Sequence, residues 1–104
     1  MIPFAAPIDD ILTCLRDVAG AKDLPDWDDN LAADIIRAFA AFAEGEIAPL
    51  DEPGDAQGCR LENGRVRMPD GFARAYAQLA GMGWQGLTAP EDFGGMGQGP
   101  LVAA

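Results

Sequence analysis

The sequence predicts a small, mainly α-helical domain, with three amphipathic helices and one short β-hairpin. Three observations carry that fold class. Apolar residues recur at helical spacing in three separated stretches. A single Asn63-Gly64 pair sits between two short alternating runs. The 104 residues, 49% hydrophobic and 23% charged, suffice for one modest core and argue against a disordered chain.

The first helix is expected over Ile8 to Ala19. Ile8, Ile11, Leu12, Leu15 and Val18 fall within an arc of about 120° at roughly 100° per residue. Asp9 and Asp10 stand in its first turn, where carboxylates suit the positive helix end, and Gly20 is a natural stop. Residues 21–30 read as a polar linker carrying Leu24, Pro25 and Trp27.

Asp28, Asp29 and Asn30 are three candidate N-caps for a second helix running to Ile47. Its expected core stripe is Leu31, Ile35, Ala38, Phe39 and Phe42, widened by Ile36 and Ala43, with Pro49 ending it. Residues 50–58 are loop by composition. Asn-Gly then marks a type I′ hairpin, which needs positive φ at both central residues. That turn places Leu61 opposite Val66 and Cys59 opposite Met68 on one face, and Glu62 opposite Arg65 and Arg60 opposite Arg67 on the other. A third helix is expected after Pro69, with Asp70 as N-cap, Phe72, Ala75, Tyr76, Leu79 and Met82 on its apolar face, and Gly83 as its C′ residue. The aromatics Phe39, Phe42, Phe72 and Tyr76 are expected in the core, with Trp27 and Trp84 lidding it. Residues from Trp84 onward form a Gly/Pro-rich closing loop. Residues 1–27 hold the first helix, and residues 28–104 hold the helix, hairpin, helix and closing loop.

Charge narrows the function. The net charge is −10, and histidine is absent, which removes Ser-His-Asp, Cys-His and His-metal chemistry. Residues 1–58 carry 3 basic and 13 acidic residues, whereas residues 59–104 carry 4 of each. The acidic half is either a solubilising surface or a docking face for a basic partner or for another part of a larger protein. The acid excess disfavours nucleic acid and anionic membranes as partners. Cys14 and Cys59 read as two reduced small hydrophobes rather than a disulfide framework. The start, Met1-Ile2-Pro3-Phe4, lacks the pattern of a signal peptide, and no apolar run is long enough for a membrane span, so a cytoplasmic location is expected.

Candidate chemistry is sparse. The cluster Gly94-Gly95-Met96-Gly97-Gln98-Gly99 lacks the preceding strand and following helix of a phosphate loop, and reads instead as a loop needing positive φ and close backbone contact. Arg60 and Arg67, facing each other, could grip a carboxylate or phosphate, or splay into solvent, or reach acids in the first half. The carboxylate pairs Asp9/Asp10, Asp28/Asp29, Glu44/Glu46 and Glu91/Asp92 force no acid–base or metal role. No catalytic, cofactor-binding or metal-ligating residue is assigned.

One resemblance reaches further. Gly83-Trp84-x-Gly86-Leu87-x-x-Pro90-Glu91-x-Phe93-Gly94-Gly95-x-Gly97 resembles the segment closing the first helical stretch of acyl-CoA dehydrogenases. Upstream, Ala48-Pro49-Leu50, Gly54-Asp55-x-x-Gly58-Cys59, Asn63-Gly64-x-Val66 and Pro69-x-Gly71-Phe72-x-x-Ala75-Tyr76 are similar to a longer bacterial subgroup with an N-terminal extension. The likeness runs from about Pro3 to Gln98 and implies the N-terminal helical region of that fold. In the family a glutamate removes the α-proton of an acyl-CoA thioester and the β-hydride passes to bound FAD. Electrons then leave through a flavoprotein acceptor. A middle β domain and a C-terminal helical domain complete the enzyme, which is usually a homo-oligomer.

This sequence lacks the flavin-contacting stretch of the kind T-E-P-x-A-G-S-D, and neither Glu62 nor Glu91 matches the catalytic glutamate. The resemblance therefore implies the N-terminal part of such an enzyme, as a fragment or truncated product. Its expected role is structural, helping to wall the acyl-CoA site, with FAD belonging to the parent family and none expected for this chain alone. The expected partners are the remaining domains or subunits. Inactivity alone and exposed apolar side chains follow. The alternative is a stand-alone acidic helical interaction module. A small enzyme in its own right is a third reading.

Overall fold

A computed structural model describes residues 3–104; the Met1-Ile2 start of the chain lies outside them. α1 spans Ile8–Thr13 and continues as one wide turn over Cys14–Val18, closed by the Ala19 amide donating to the Cys14 carbonyl at 2.8 Å. Gly20, at φ 77°, stops it in the left-handed region, and a short 3-10 turn over Ala21–Asp23 follows.

α2 spans Asp29–Phe42. Of the three candidate caps, Asp28 is the one used: its carboxylate accepts from the Leu31 amide at 3.0 Å. Asp29 instead accepts from the Trp27 indole and pairs with Arg16 at 3.5 Å. The helix widens over Ala43–Ile47, then tightens to a 3-10 turn over Ala48–Leu50. Pro49 has no amide to give to a carbonyl one turn back, so the regular ladder cannot run through it.

The expected loop at 50–58 is a helix. α3 spans Asp51–Gln57. Pro53 is compatible because a residue in the first helical turn has no intrahelical use for its N–H. Gly54 is required by packing: a methyl there would stand 2.6 Å from Phe72 Cζ.

The hairpin forms as expected. β1 (Arg60–Glu62) and β2 (Arg65–Arg67) pair antiparallel with Arg60 opposite Arg67, Leu61 opposite Val66 and Glu62 opposite Arg65. Asn63 (φ 52°) and Gly64 (φ 74°) supply the two positive φ angles of the I′ turn.

α4 spans Phe72–Gly81, and its N-cap is Gly71, not Asp70. Gly71 sits at φ 88° with Leu50 against it, so a side chain is excluded there on two grounds. Asp70 instead donates its amide to Gln57 Oε1 at 2.7 Å and turns its carboxylate to Arg60. The helix stops at Met82, with Gly83 left-handed at φ 82°. 3-10 turns over Trp84–Gly86 and Glu91–Phe93 lead to α5, Pro100–Ala103.

The molecule is a plate of 52 × 38 × 18 Å. Its radius of gyration is 16.7 Å, against about 13 Å for a compact chain of this length. Its accessible surface is 7483 Å², against about 5,600 Å² for a folded monomer of this mass. Among the described residues the buried apolar side chains are Ala21, Ala32, Ala40 and Phe42, and no large side chain is fully enclosed. The expected stripe on α2 is therefore corrected. Of the stripe only Phe42 is buried, with Ala32 and Ala40 beside it, whereas Leu31, Ala38 and Phe39 stay exposed. Tyr76, expected in the core, is 71% exposed. Both departures share one cause: none of the described residues covers those faces.

Candidate functional site

An apolar groove of about 1130 Å³ runs along one side of the molecule. Its wall on one side is the widened end of α2, with Phe39, Ala43 and Ile47, continued by Leu50 and α3. The opposite wall is Met68, Pro69 and the first turns of α4, with Phe72 and Ala75. Local chemistry builds it. The break at Pro49 turns α3 back, and the small Gly54 and Gly71 let Phe72 and Leu50 interlock across the turn. Phe39 is held from behind by Trp84, edge to face at 5.3 Å, and by Phe42 at 6.1 Å.

The charged residues lining the groove are Glu44, Asp51 and Asp55, all acidic. Glu44 is partly spent, since it accepts from the Ala6 amide at 2.7 Å and ties the N-terminal extension to α2. Asp51 and Asp55 lie one helical turn apart on α3 and form no ion pair among the described residues. Like charges at that spacing repel.

The groove continues onto the hairpin through Cys59 and Met68, whose sulfur atoms stand 3.7 Å apart. Beyond them Leu61 is 77% and Val66 67% exposed, so the hairpin's apolar face is uncovered. On its other face Arg60 and Arg67 pair with acids of the second half rather than of the first. Both turn to Glu62, at 4.0 and 3.6 Å, and Arg60 also to Asp70 at 3.8 Å. Glu62 lies two residues along the strand from Arg60 and diagonally across from Arg67, so both guanidinium groups find an acid within the hairpin.

The glycine loop does not fit a dinucleotide's phosphates. Its successive amides from Phe93 to Gln98 all donate to carbonyls of the same loop, among them Met96 to Gly86 and Gly97 to Ala89. No donor in that run is left to cradle an anion. A methyl at Gly95 would overlap the Ala89 carbonyl, and Gly94 and Gly97 take positive φ, so the glycines serve close backbone contact.

The remaining carboxylate pairs are dispersed. Asp9 and Asp10 lie in the first turn of α1, and Glu91 and Asp92 in a 3-10 turn. Among the described residues no three acidic or cysteine side chains converge to hold a metal ion, and no helix is long and apolar enough to cross a membrane. Cys14 and Cys59 are both exposed and unbonded.

The groove's acidic residues on α3 escaped the sequence reading because residues 50–58 read as loop. The signal available was the apolar pair Ile47 and Leu50 around Pro49, facing Met68-Pro69 across the hairpin.

Comparison with known proteins returns two findings. Residues 32–104 match the family model described as acyl-CoA dehydrogenase, N-terminal domain. The chain is also 38% identical over 109 aligned positions to the 3-methylmercaptopropionyl-CoA dehydrogenase of Ruegeria pomeroyi. That match covers 97% of this chain and 18% of the relative, so the chain spans under a fifth of its length.

Proposed function

The chain belongs to the acyl-CoA dehydrogenase family, through that family's N-terminal domain, and from this we propose that it works as the structural N-terminal part of a flavin-dependent acyl-CoA dehydrogenase. In that role it helps wall the site where an acyl-CoA thioester loses hydrogens from its α and β carbons, and it is inactive alone. FAD and the catalytic base come from the rest of the enzyme, a cytoplasmic homo-oligomer. Residues 28–104 are the shared unit and residues 1–27 an added extension; the family match beginning at residue 32 supports that division.

The observation that carries this reading is the uncovered apolar surface. Among the described residues twelve large apolar side chains are exposed, among them Phe93 at 86%, while none is fully buried. A self-sufficient domain of this composition buries such residues. The excess surface of about 1,900 Å² over a compact monomer is more than the roughly 800 Å² that each partner gives to a standard stable interface.

The test uses the purified 104-residue chain with an acyl-CoA and an artificial electron acceptor. The reading expects no bound flavin spectrum and no turnover. A flavin spectrum together with unaided acyl-CoA oxidation overturns it.

A further inference from the structure

We propose that the groove between α2–α3 and α4 receives an amphipathic helix whose apolar face is flanked by lysine or arginine. The inference rests on the reading above, that the open apolar face is an interface, and adds what kind of segment fills it.

Shape and chemistry of the walls come first. At about 1130 Å³ the groove exceeds the usual 300–1,000 Å³ of a small-molecule pocket. Its facing walls, with Ile47 and Leu50 on one side and Met68 and Phe72 on the other, are apolar and open along their length, which suits side chains presented at i, i+3, i+4 and i+7.

Charge then selects the occupant. Every charged residue lining the groove is acidic, and Asp51 and Asp55 carry no counter-charge among the described residues. Their repulsion at one-turn spacing is relieved by a cation lying between them. A second copy of this chain is a poor occupant, because each copy carries −10. An acyl-CoA is a poor occupant as well, since its phosphates would meet the same carboxylates. A helix with basic flanks satisfies both the walls and the rim.

The experiment titrates the full 104-residue chain by calorimetry with two synthetic 18-residue amphipathic peptides. They share a leucine face and differ in flanks, lysine in one and glutamate in the other. The lysine peptide is expected to bind, more weakly as salt rises, and the glutamate peptide is not. D51N/D55N keeps shape and removes the helix repulsion, and should weaken binding about fivefold, as two exposed ion pairs lost together. D9N/D10N removes the same charge from residues that do not line the groove and should leave affinity unchanged.

Equal binding of both peptides, or loss of affinity in D9N/D10N equal to that in D51N/D55N, overturns the inference while the open face remains an interface. Self-association in sedimentation that excludes the peptide overturns it in favour of a second copy. Lauroyl-CoA binding that competes with the lysine peptide overturns it in favour of substrate. A chain that binds neither peptide nor an apolar dye overturns both the inference and the reading beneath it.

Discussion

Asp28 shows how much one residue can decide. A carboxylate that accepts from an amide three residues ahead satisfies a donor the helix cannot satisfy itself. Asp28→Ala should cost about 1 kcal/mol of helix stability and Asp28→Asn should restore it, read as ellipticity at 222 nm against urea. Gly95→Ala should cost more, because the Ala89 carbonyl occupies the place of the methyl; the closing-loop amides should then lose hydrogen-exchange protection. Gln78 offers the opposite case. Its Oε1 and the Trp84 Nε1 are buried without a hydrogen-bond partner. Gln78→Met, of similar volume, should therefore leave stability unchanged or raise it by about 1 kcal/mol in the same urea assay. Such residue-level features were unevenly legible. Gly20, Gly83 and an aspartate cap stand out because backbone angle and capping are local matters. The need for glycine at 54 and 71 did not, because Phe72 and Leu50 create it from a distance.

Among the elements, the hairpin was the most legible. Its turn pair sets the register, and the register sets every cross-strand neighbour. Gly64→Val should abolish the cross-strand contacts between Leu61 and Val66 seen by nuclear Overhauser effects, since a β-branched residue resists φ 74°. α1 and α2 were legible from periodicity, but their widened ends were not, because the hydrophobic repeat carries no mark of a change in hydrogen-bond spacing. α3 was missed for a compositional reason. Asp, Glu, Pro and Gly together read as loop, whereas the proline falls in the first turn and the glycine under an aromatic ring. The apolar stripe of α2 was legible as a stripe. Which part of it is buried depends on what lies across from it, and that is not local information. The same gap explains the candidate site. Phe39 and Phe72 were recognised as apolar positions, but read as core rather than groove wall.

For the molecule as a whole, the departure from compactness is the governing fact. A chain with ordinary hydrophobic content has folded into a plate without one fully enclosed large side chain. Hydrophobic burial is the main term opposing conformational entropy, so a plate that leaves this much uncovered is marginal alone and gains stability when covered. Under the proposed function the rest of an acyl-CoA dehydrogenase would cover that surface, a reading that the family match and a relative of which this chain spans 18% support. The acidic half contributes differently: its charge opposes the pairing of two copies and favours a covering segment of opposite sign. The most direct test of an incomplete unit is a calorimetric melt of the 104-residue chain with an apolar reporter dye present. The account predicts a broad transition of low enthalpy and strong dye emission below it. A sharp two-state transition of about 70 kcal/mol, the value for a self-contained domain of this length, with no dye bound, would contradict it.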